Sequence, residues 1–209
     1  MENYFFSDLN IEQLENKTLL DLGCFTGGRL LAWSENYKLK KSCGIDINPI
    51  FKTAADEFAK EKNINADFTI GVGEELPYDN NSFDFVVSTD TFEHVQSLEK
   101  SIEECFRVLK PGGMLLAVFP QFLQPFESHL DFVTKLPCLH WFFNSQKVSE
   151  KYFEILKERG PSAKWYSGEK NSLENWEKLP TLNGTSIRKF EKILKNNNWA
   201  NTRWIKKPI

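Results

Sequence analysis

The sequence predicts an α/β fold, a mostly parallel sheet with helices on both faces. Short apolar runs alternate with helical patterns over the first two-thirds of the chain. Several of these runs are apolar throughout, as expected of strands that are covered on both faces. Strand, helix and strand in succession form right-handed crossovers, which make the strands parallel. With 209 residues, 41% of them hydrophobic, the chain can bury the core of a single domain.

Five short runs rich in apolar residues are the expected strands. They are residues 18–22, 42–46, 66–70, 83–88 and 114–119. The segment before the fifth run, Pro111, Gly112 and Gly113, ends the preceding helix, because proline cannot continue a helix and glycine supplies the turn.

The helices between these strands carry recognisable start signals. Asn48 is a good N-cap with Pro49 at the first helical position, and apolar residues then recur at helical spacing. Ser97 can cap a second helix in the same way. A last helix is expected over residues 185–195, and one further strand over 202–206.

Between the fifth strand and the last helix the alternation stops. Prolines punctuate this stretch, which has no strand run and holds much of the aromatic content. We therefore divide the single domain into an α/β core, an aromatic-rich helical lid insertion and a C-terminal helix and strand that complete the core. These are residues 1–119, 120–183 and 184–209.

Charge and cysteine content exclude several function classes. A net charge of −3 argues against a general binder of nucleic acid or membrane surfaces, because both are anionic, and only a local basic patch would favour such a partner. No apolar stretch reaches the ~20 residues that cross a bilayer, so no membrane span is expected. The four cysteines lack a metal-binding spacing. We expect no metal site, and we interpret the cysteines as buried thiols of a cytoplasmic protein.

The first strand is followed by a glycine-rich turn. It runs from Asp21 through Gly23 and Gly27 to Gly28 and enters a helix, and the second strand ends at Asp46. Glycines at such a turn let the backbone approach a ligand, and a carboxylate after strand two can accept both hydrogen bonds of a ribose diol. The pattern predicts a nucleoside-binding site at the carboxyl edge of the sheet.

Four further motifs follow in order: residues 71–78, 80–88, 92–95 and 107–113. With these runs, the sequence resembles the class I S-adenosylmethionine-dependent methyltransferases, in particular the small-molecule group. The resemblance covers residues 19–120, and it implies a Rossmann-like, doubly wound sheet with S-adenosylmethionine as cofactor and S-adenosylhomocysteine as product.

The resemblance also assigns residues to the methionine part of the cofactor. The loop after strand one would hold it through Asp21, Gly23, Cys24, Phe25 and Gly27. Ser88 and Thr89, at the end of strand four, would line the site near the sulfonium.

The nucleoside part of the cofactor is assigned in the same way. Asp46 would bind the ribose hydroxyls and Ile47 would pack on the adenine. Groups at Gly73 and Glu74 would reach the adenine edge.

Two positions depart from the family pattern. Phe25 replaces the usual central glycine, which is costly if the position needs a positive φ, although the ring could point away from the cofactor. Val72 stands where many relatives have an aspartate near the adenine. A dinucleotide-binding dehydrogenase is the main competitor, but its second fingerprint glycine would fall at Phe25, so that match fails.

The acceptor side is less defined. A hydroxyl acceptor gains from a general base, and the three histidines, His94, His129 and His140, are the candidates. His94 follows strand four, whereas the other two lie in the insertion, whose aromatic residues predict an apolar acceptor pocket.

We therefore expect methyl transfer to a small-molecule acceptor, with oxygen as the preferred atom. The alternative is a non-catalytic regulatory or partner subunit that binds S-adenosylmethionine. Sheets of this class normally end in an antiparallel hairpin, and only one strand candidate follows the last helix. An open edge would invite pairing, so both a monomer and a homodimer are consistent with the sequence.

Overall fold

The computed structural model describes residues 14–120, 134–143, 145–159, 184–197 and 199. Its strands are β1 (Thr18–Leu22), β2 (Lys41–Asp46), β3 (Ala66–Ile70), β4 (Phe83–Thr89) and β5 (Leu109–Val118). They form one five-stranded parallel sheet in the order β3-β2-β1-β4-β5. The predicted α/β fold with a parallel sheet is confirmed, and the order reverses between β1 and β4, where such sheets bind ligands.

The described helices flank this sheet and the segment that follows it. They are α1 (Gly28–Tyr37), α2 (Pro49–Lys62), α3 (Leu98–Val108), α4 (Leu139–Phe142), α5 (Ser145–Arg159) and α6 (Ile187–Asn196). The predicted caps are present: the Asn48 side chain accepts from the Ile50 N–H and the Ser97 side chain from the Lys100 N–H. Each such cap stabilises its helix by about 1 kcal/mol.

The last strand of the described sheet differs from its prediction. β5 begins at Leu109, five residues before the predicted start, so Pro111 and Gly112 lie within the strand. β5 is at the edge of the sheet, where a missing proline N–H removes no central hydrogen bond. The expected strand over residues 202–206 lies outside the described residues.

Two apolar cores cover the two faces of the sheet. In β1, Leu19 packs into the core with α1 and α2, whereas Leu20 packs into the core with α3 and α6. Both side chains are fully buried, and burying one leucine is worth roughly 1.5–3 kcal/mol. The burial of two successive leucines is therefore explained by the position of β1 between two helical layers.

The amino ends of the central strands are joined by a polar cluster. Asp84 Oδ2 accepts from the Thr18 N–H at 2.9 Å, from the Thr18 hydroxyl at 2.8 Å and from Lys110 Nζ at 2.8 Å. Burial alone would raise the pKa of Asp84, but the hydrogen bonds from Lys110 and Thr18 outweigh it and lower the pKa to about 2. The cluster ties together β1, β4 and β5 at the edge opposite the predicted site.

Three of the four cysteines are buried, as predicted, and Cys138 is half-buried. Burial raises the pKa of Cys43 to about 11 and that of Cys105 to about 12. None of the described helices is long and apolar enough to cross a membrane.

Candidate cofactor site

The carboxyl ends of β1, β2 and β4 lie side by side. In the register, Leu22 at the end of β1 is paired with Ile45 of β2 on one side and Ser88 of β4 on the other. The residues that follow these strands therefore meet at one edge, which is where the sequence placed the cofactor.

The loop from Asp21 to Gly28 turns sharply at two glycines. Gly23 has φ 76° and Gly27 has φ 74°, both in the left-handed region that favours glycine. A Cβ at Gly23 would lie 2.0 Å from Thr91 Oγ1, and one at Gly27 would lie 2.6 Å from the Phe68 ring. The two glycines are thus required by conformation and by space.

Phe25 also adopts a positive φ, 52°, so the position does demand the conformation that glycine adopts easily. Its N–H donates to Asp46 Oδ2 at 2.9 Å. Its ring is 42% exposed and lies 4.0 Å from the Phe51 ring of α2, centroid to centroid. The strain that the sequence predicted is therefore present, and the ring contacts the helix after β2.

Asp46 is held rigidly at the end of β2. Oδ1 accepts from the Asn48 N–H at 3.0 Å, while Oδ2 accepts from the Phe25 N–H. Burial raises the pKa of this carboxyl, and the backbone hydrogen bonds from Asn48 and Phe25 oppose the rise. Because each carboxylate oxygen has two lone pairs, both can accept a further hydrogen bond.

Asp21 is fully buried beneath the loop and is paired with a residue that the sequence analysis missed. Arg29 Nη2 donates to Asp21 Oδ1 at 2.7 Å and Nε donates to Oδ2 at 3.3 Å. Burial raises the pKa of Asp21, and the adjacent guanidinium opposes this. The only available signal was an arginine at the second position of the helix that follows the acidic strand end.

The ends of β2 and β3 expose apolar side chains. The side chains of Ile47, Ile70 and Val72 are 38%, 50% and 39% exposed. They therefore lie at the surface and not in either core. Ile70 is paired with Asp46 in the register, so this apolar strip lies next to the carboxylate.

Gly73 and Glu74 follow on the same side. Gly73 is buried, and a Cβ there would lie 3.2 Å from Ser101 Oγ in α3. Glu74 Oε1 accepts from the Ser97 N–H at 3.0 Å, just before α3. Glu74 therefore has a structural contact that the sequence did not predict.

The loop between β3 and β4 is held in place from α3. Glu104 accepts from the Leu76 N–H at 2.7 Å, while Arg107 donates to the carbonyls of Leu76 and Tyr78. Glu104 and Arg107 also form an ion pair with each other. Arg107, the first residue of the 107–113 motif, thus stabilises the loop beside the site and is not assigned to the site itself.

Hydroxyl groups gather at the end of β4. Ser88 Oγ and Thr89 Oγ1 are buried and hydrogen-bond to no other described residue. Thr91 Oγ1 lies 3.1 Å from the Leu22 carbonyl and 3.0 Å from the Thr89 carbonyl, so it joins β1 to β4.

Of the three histidines, His94 is the one whose side chain the structure describes. It lies after β4, largely buried, with Nε2 3.6 Å from Oε1 of the fully buried Glu93. His140 belongs to α4, in the segment after the core. His129 lies outside the described residues. The Glu93 contact is a feature that the sequence analysis did not anticipate.

The family model for the methyltransferase domain matches residues 20–117. This range begins in β1 and ends in β5, so it contains the glycine loop, Asp46 and the end of β4. The chain contains a class I S-adenosylmethionine-dependent methyltransferase domain. The resemblance found in the sequence motifs is therefore confirmed.

Individual relatives agree with this assignment. A norajmaline N-methyltransferase from Rauvolfia serpentina is 33% identical over 102 residues, which are 48% of this chain and 35% of that one. A ubiquinone/menaquinone biosynthesis C-methyltransferase from Hydrogenovibrio crunogenus is 35% identical over 111 residues, 51% of this chain and 44% of the relative. The chain thus spans less than half the length of these two relatives.

A solved structure shares the fold. The YcgJ protein of Bacillus subtilis superposes with a TM-score of 0.52 at 31% identity, covering 58% of this chain and 55% of that one. The similarity supports a Rossmann-like sheet for the methyltransferase domain.

Proposed function

We propose that this protein transfers a methyl group from S-adenosylmethionine to a small-molecule acceptor. The observation that carries the proposal is the hydrogen bond from the Phe25 N–H to Asp46, which joins the glycine loop to the carboxylate after β2. A carboxylate fixed beside such a loop suits a ribose diol. The methyltransferase domain supports the same cofactor.

The methionine side of the site fits the cofactor in its chemistry. We assign this part to the loop from Asp21 to Gly27, including Cys24, and to Ser88 and Thr89, whose hydroxyls have no protein partner among the described residues. When bound, S-adenosylmethionine supplies an electrophilic methyl group on a positively charged sulfur. The protein's own task is to orient the acceptor and to exclude water.

The nucleoside side fits as well. We assign the ribose hydroxyls to Asp46 and the adenine ring to the exposed apolar strip that includes Ile47. Gly73 and Glu74 border the adenine edge in this arrangement. Because Glu74 Oε1 is engaged by the Ser97 N–H, Oε2 is the oxygen that we assign to the adenine.

His94 is the best-supported candidate for a general base. Its imidazole lies against the buried Glu93 carboxylate at the end of β4, next to the strand end assigned to the sulfonium. With Nε2 3.6 Å from Glu93 Oε1, the carboxyl group can orient the imidazole towards a hydroxyl whose proton it takes up. Because a hydroxyl acceptor gains from a general base, this arrangement supports our preference for oxygen as the acceptor atom. The names of similar proteins do not decide between atoms, since they include N-, C- and O-methyltransferases.

The acceptor itself is assigned to the aromatic-rich insertion. Trp141, Phe142 and Phe143 are exposed in and beside α4. Together with His140 and His129, they make this segment our candidate for acceptor recognition. We further propose a cytoplasmic monomer or homodimer that does not act on nucleic acid, consistent with a net charge of −3.

Two measurements test the function. Calorimetry with S-adenosylhomocysteine measures binding, and a coupled assay of product formation with hydroxyl, amine and carbon acceptors measures turnover. We expect binding and turnover on at least one acceptor. No binding to the cofactor would overturn the proposal.

A His94→Gln variant tests the catalytic assignment. We expect kcat to fall by roughly 10²–10⁴-fold, the usual contribution of a general base, with cofactor affinity unchanged. The control variant Lys60→Gln, at an exposed position of α2, should leave kcat unchanged. An unaltered kcat in His94→Gln would remove His94 from the mechanism.

A second candidate function is non-catalytic cofactor binding by a regulatory or partner subunit. The observation in its favour is Phe25, which places a large side chain at φ 52° in the cofactor loop. Binding of S-adenosylhomocysteine without turnover on any acceptor would support this candidate.

A further inference from the structure

Large apolar side chains are exposed in the segment between Thr134 and the start of α5. Leu136 is 65% exposed, and Trp141, Phe142 and Phe143 are 46%, 78% and 57% exposed. Scattered single exposed apolar residues are normal, whereas four within eight positions form a patch. We call these four residues the aromatic patch.

An apolar cavity adjoins the aromatic patch. It has a volume of about 220 Å³ and lies between the turn of α4 and the first three turns of α5. Phe143 belongs to the patch and also lines the cavity, whose other walls include Leu139, Val148 and Ile155. The patch and the cavity therefore meet at Phe143.

The charge of this surface is opposite to that of the chain. Residues 134–150 contain two lysines, Lys135 and Lys147, and one acidic residue, Glu150, in a chain of net charge −3. Neither lysine forms an ion pair with another described residue, whereas Lys151 at the cavity is paired with Glu154 at 2.9 Å. Two lysines without an ion pair among the described residues thus flank the exposed aromatic rings.

We propose that the aromatic patch, with Lys135 and Lys147, docks on the surface of an anionic lipid bilayer. Tryptophan and phenylalanine side chains insert at the boundary between headgroups and acyl chains, and lysines beside them attract anionic headgroups. The cavity gives part of one acyl chain an apolar place to lie. Such docking is peripheral, so it needs no membrane-spanning helix.

The same charges argue against a second copy of the chain as occupant. In a twofold contact each patch would face its equivalent, which brings four lysines, Lys135 and Lys147 of each copy, to one interface where Glu150 is the nearest acidic residue in the chain. A bilayer that contains anionic lipid satisfies both the apolar and the cationic part of the surface.

Flotation with vesicles tests the proposal. We expect the full chain to bind vesicles of phosphatidylcholine with 30% phosphatidylserine, and to bind pure phosphatidylcholine at least several-fold more weakly. Lys135→Glu combined with Lys147→Glu should weaken binding to the anionic vesicles by at least roughly 30-fold, from about a factor of five for each lost lysine, to which each new glutamate adds repulsion. Phe142→Ser should weaken binding to both kinds of vesicle.

Matched controls separate the surface from general effects. Lys40→Glu with Lys60→Glu changes the net charge equally at exposed sites elsewhere, and Phe106→Ser removes an exposed phenylalanine from α3. Both controls should bind vesicles like the unmodified protein, and circular dichroism checks that every variant is folded.

Three results would overturn the proposal. One is that the protein binds neither kind of vesicle. Another is that Lys40→Glu with Lys60→Glu loses as much binding as Lys135→Glu with Lys147→Glu. The third is a dimer in lipid-free sedimentation that Phe142→Ser dissociates, because the patch would then be a contact between copies. The test is independent of cofactor binding, so it stands whatever the outcome of the turnover assay.

Discussion

At the level of single residues, Asp46 is the best test of where the nucleoside binds. We predict that Asp46→Asn weakens S-adenosylhomocysteine binding by about 1–3 kcal/mol, because one acceptor oxygen of the ribose contact becomes a donor. Calorimetry measures the affinity. Asp67→Asn makes the same change at an exposed position of the next strand and should leave the affinity unaltered. Equal affinities for Asp46→Asn and the unmodified protein would mean that the ribose lies elsewhere.

Arg29 is predicted to matter for stability more than any surface cation. Arg29→Met would leave the fully buried Asp21 carboxylate without its partner, at a cost of about 3–5 kcal/mol in the free energy of unfolding. Lys52→Met is the matched control, because Lys52 pairs with Asp56 on the surface of α2 and such pairs are worth about 0–1 kcal/mol. Urea unfolding of both variants decides, and similar losses would contradict the prediction.

The residues that sequence reasoning found and missed differ in a physical way. Asp46 and the glycines were identifiable because their chemistry depends on local position, at a strand end and at a turn. Arg29 and Glu93 were missed because their importance comes from a partner brought close by folding: a buried carboxylate in one case and an imidazole in the other. Phe25 was intermediate, since its strain was foreseeable and its contact with Phe51 was not.

At the level of elements, the loop after β1 depends on glycine for two separable reasons. Gly23→Ala would combine a strained φ with a Cβ 2.0 Å from Thr91 Oγ1, whereas Gly112→Ala would meet only the strain, because no atom lies within 4 Å. We predict a loss of about 1 kcal/mol for Gly112→Ala and a further 1–3 kcal/mol, roughly, for Gly23→Ala. Urea unfolding measures both losses. Equal losses would show that the Thr91 side chain moves aside with no loss of unfolding free energy.

The polar cluster that joins β1, β4 and β5 predicts a pH dependence. Because the pKa of Asp84 is lowered to about 2 in the folded state, its contribution to stability is present above about pH 4. It is lost as the pH falls from about 4 towards 2, where the carboxylate takes up a proton. Asp84→Asn should therefore be less stable than the unmodified protein at pH 6, with a difference that shrinks below pH 4. A constant difference across this range, measured by urea unfolding, would contradict the assignment.

The boundaries of elements were predictable where local signals decide them. Asn48 and Ser97 start helices as expected, because an N-cap acts within three residues. The start of β5 at Leu109 was not predictable, because Pro111 and the two glycines that follow it are typical of a turn. They form an irregularity within β5, with Gly112 at φ 81°, because Leu109 pairs with Phe83 of β4, 26 residues away in the chain, and Met114 pairs with Phe85.

For the whole molecule, the two edges of the sheet have separate tasks. The amino edge holds a saturated polar cluster around Asp84, whereas the carboxyl edge presents hydroxyls without protein partners among the described residues and an exposed apolar strip. The first arrangement suits stability and the second suits a ligand. The segment from Thr134 to Arg159 adds an exposed apolar surface to this core. It is the segment that we propose recognises the acceptor and docks on lipid.

This division predicts where cofactor binding changes backbone dynamics. With saturating S-adenosylhomocysteine, hydrogen exchange measured by mass spectrometry should slow in the segments at the carboxyl edge, because a bound ligand stabilises the local structure that it contacts. These segments are residues 21–28, 44–48, 71–75 and 88–94. Peptides around Thr18 and Lys110, at the opposite edge of the same sheet, provide the internal control and should change little. Slowing confined to residues 134–159 would place the nucleoside in the insertion, and it would contradict the assignment of the cofactor to the glycine loop and Asp46.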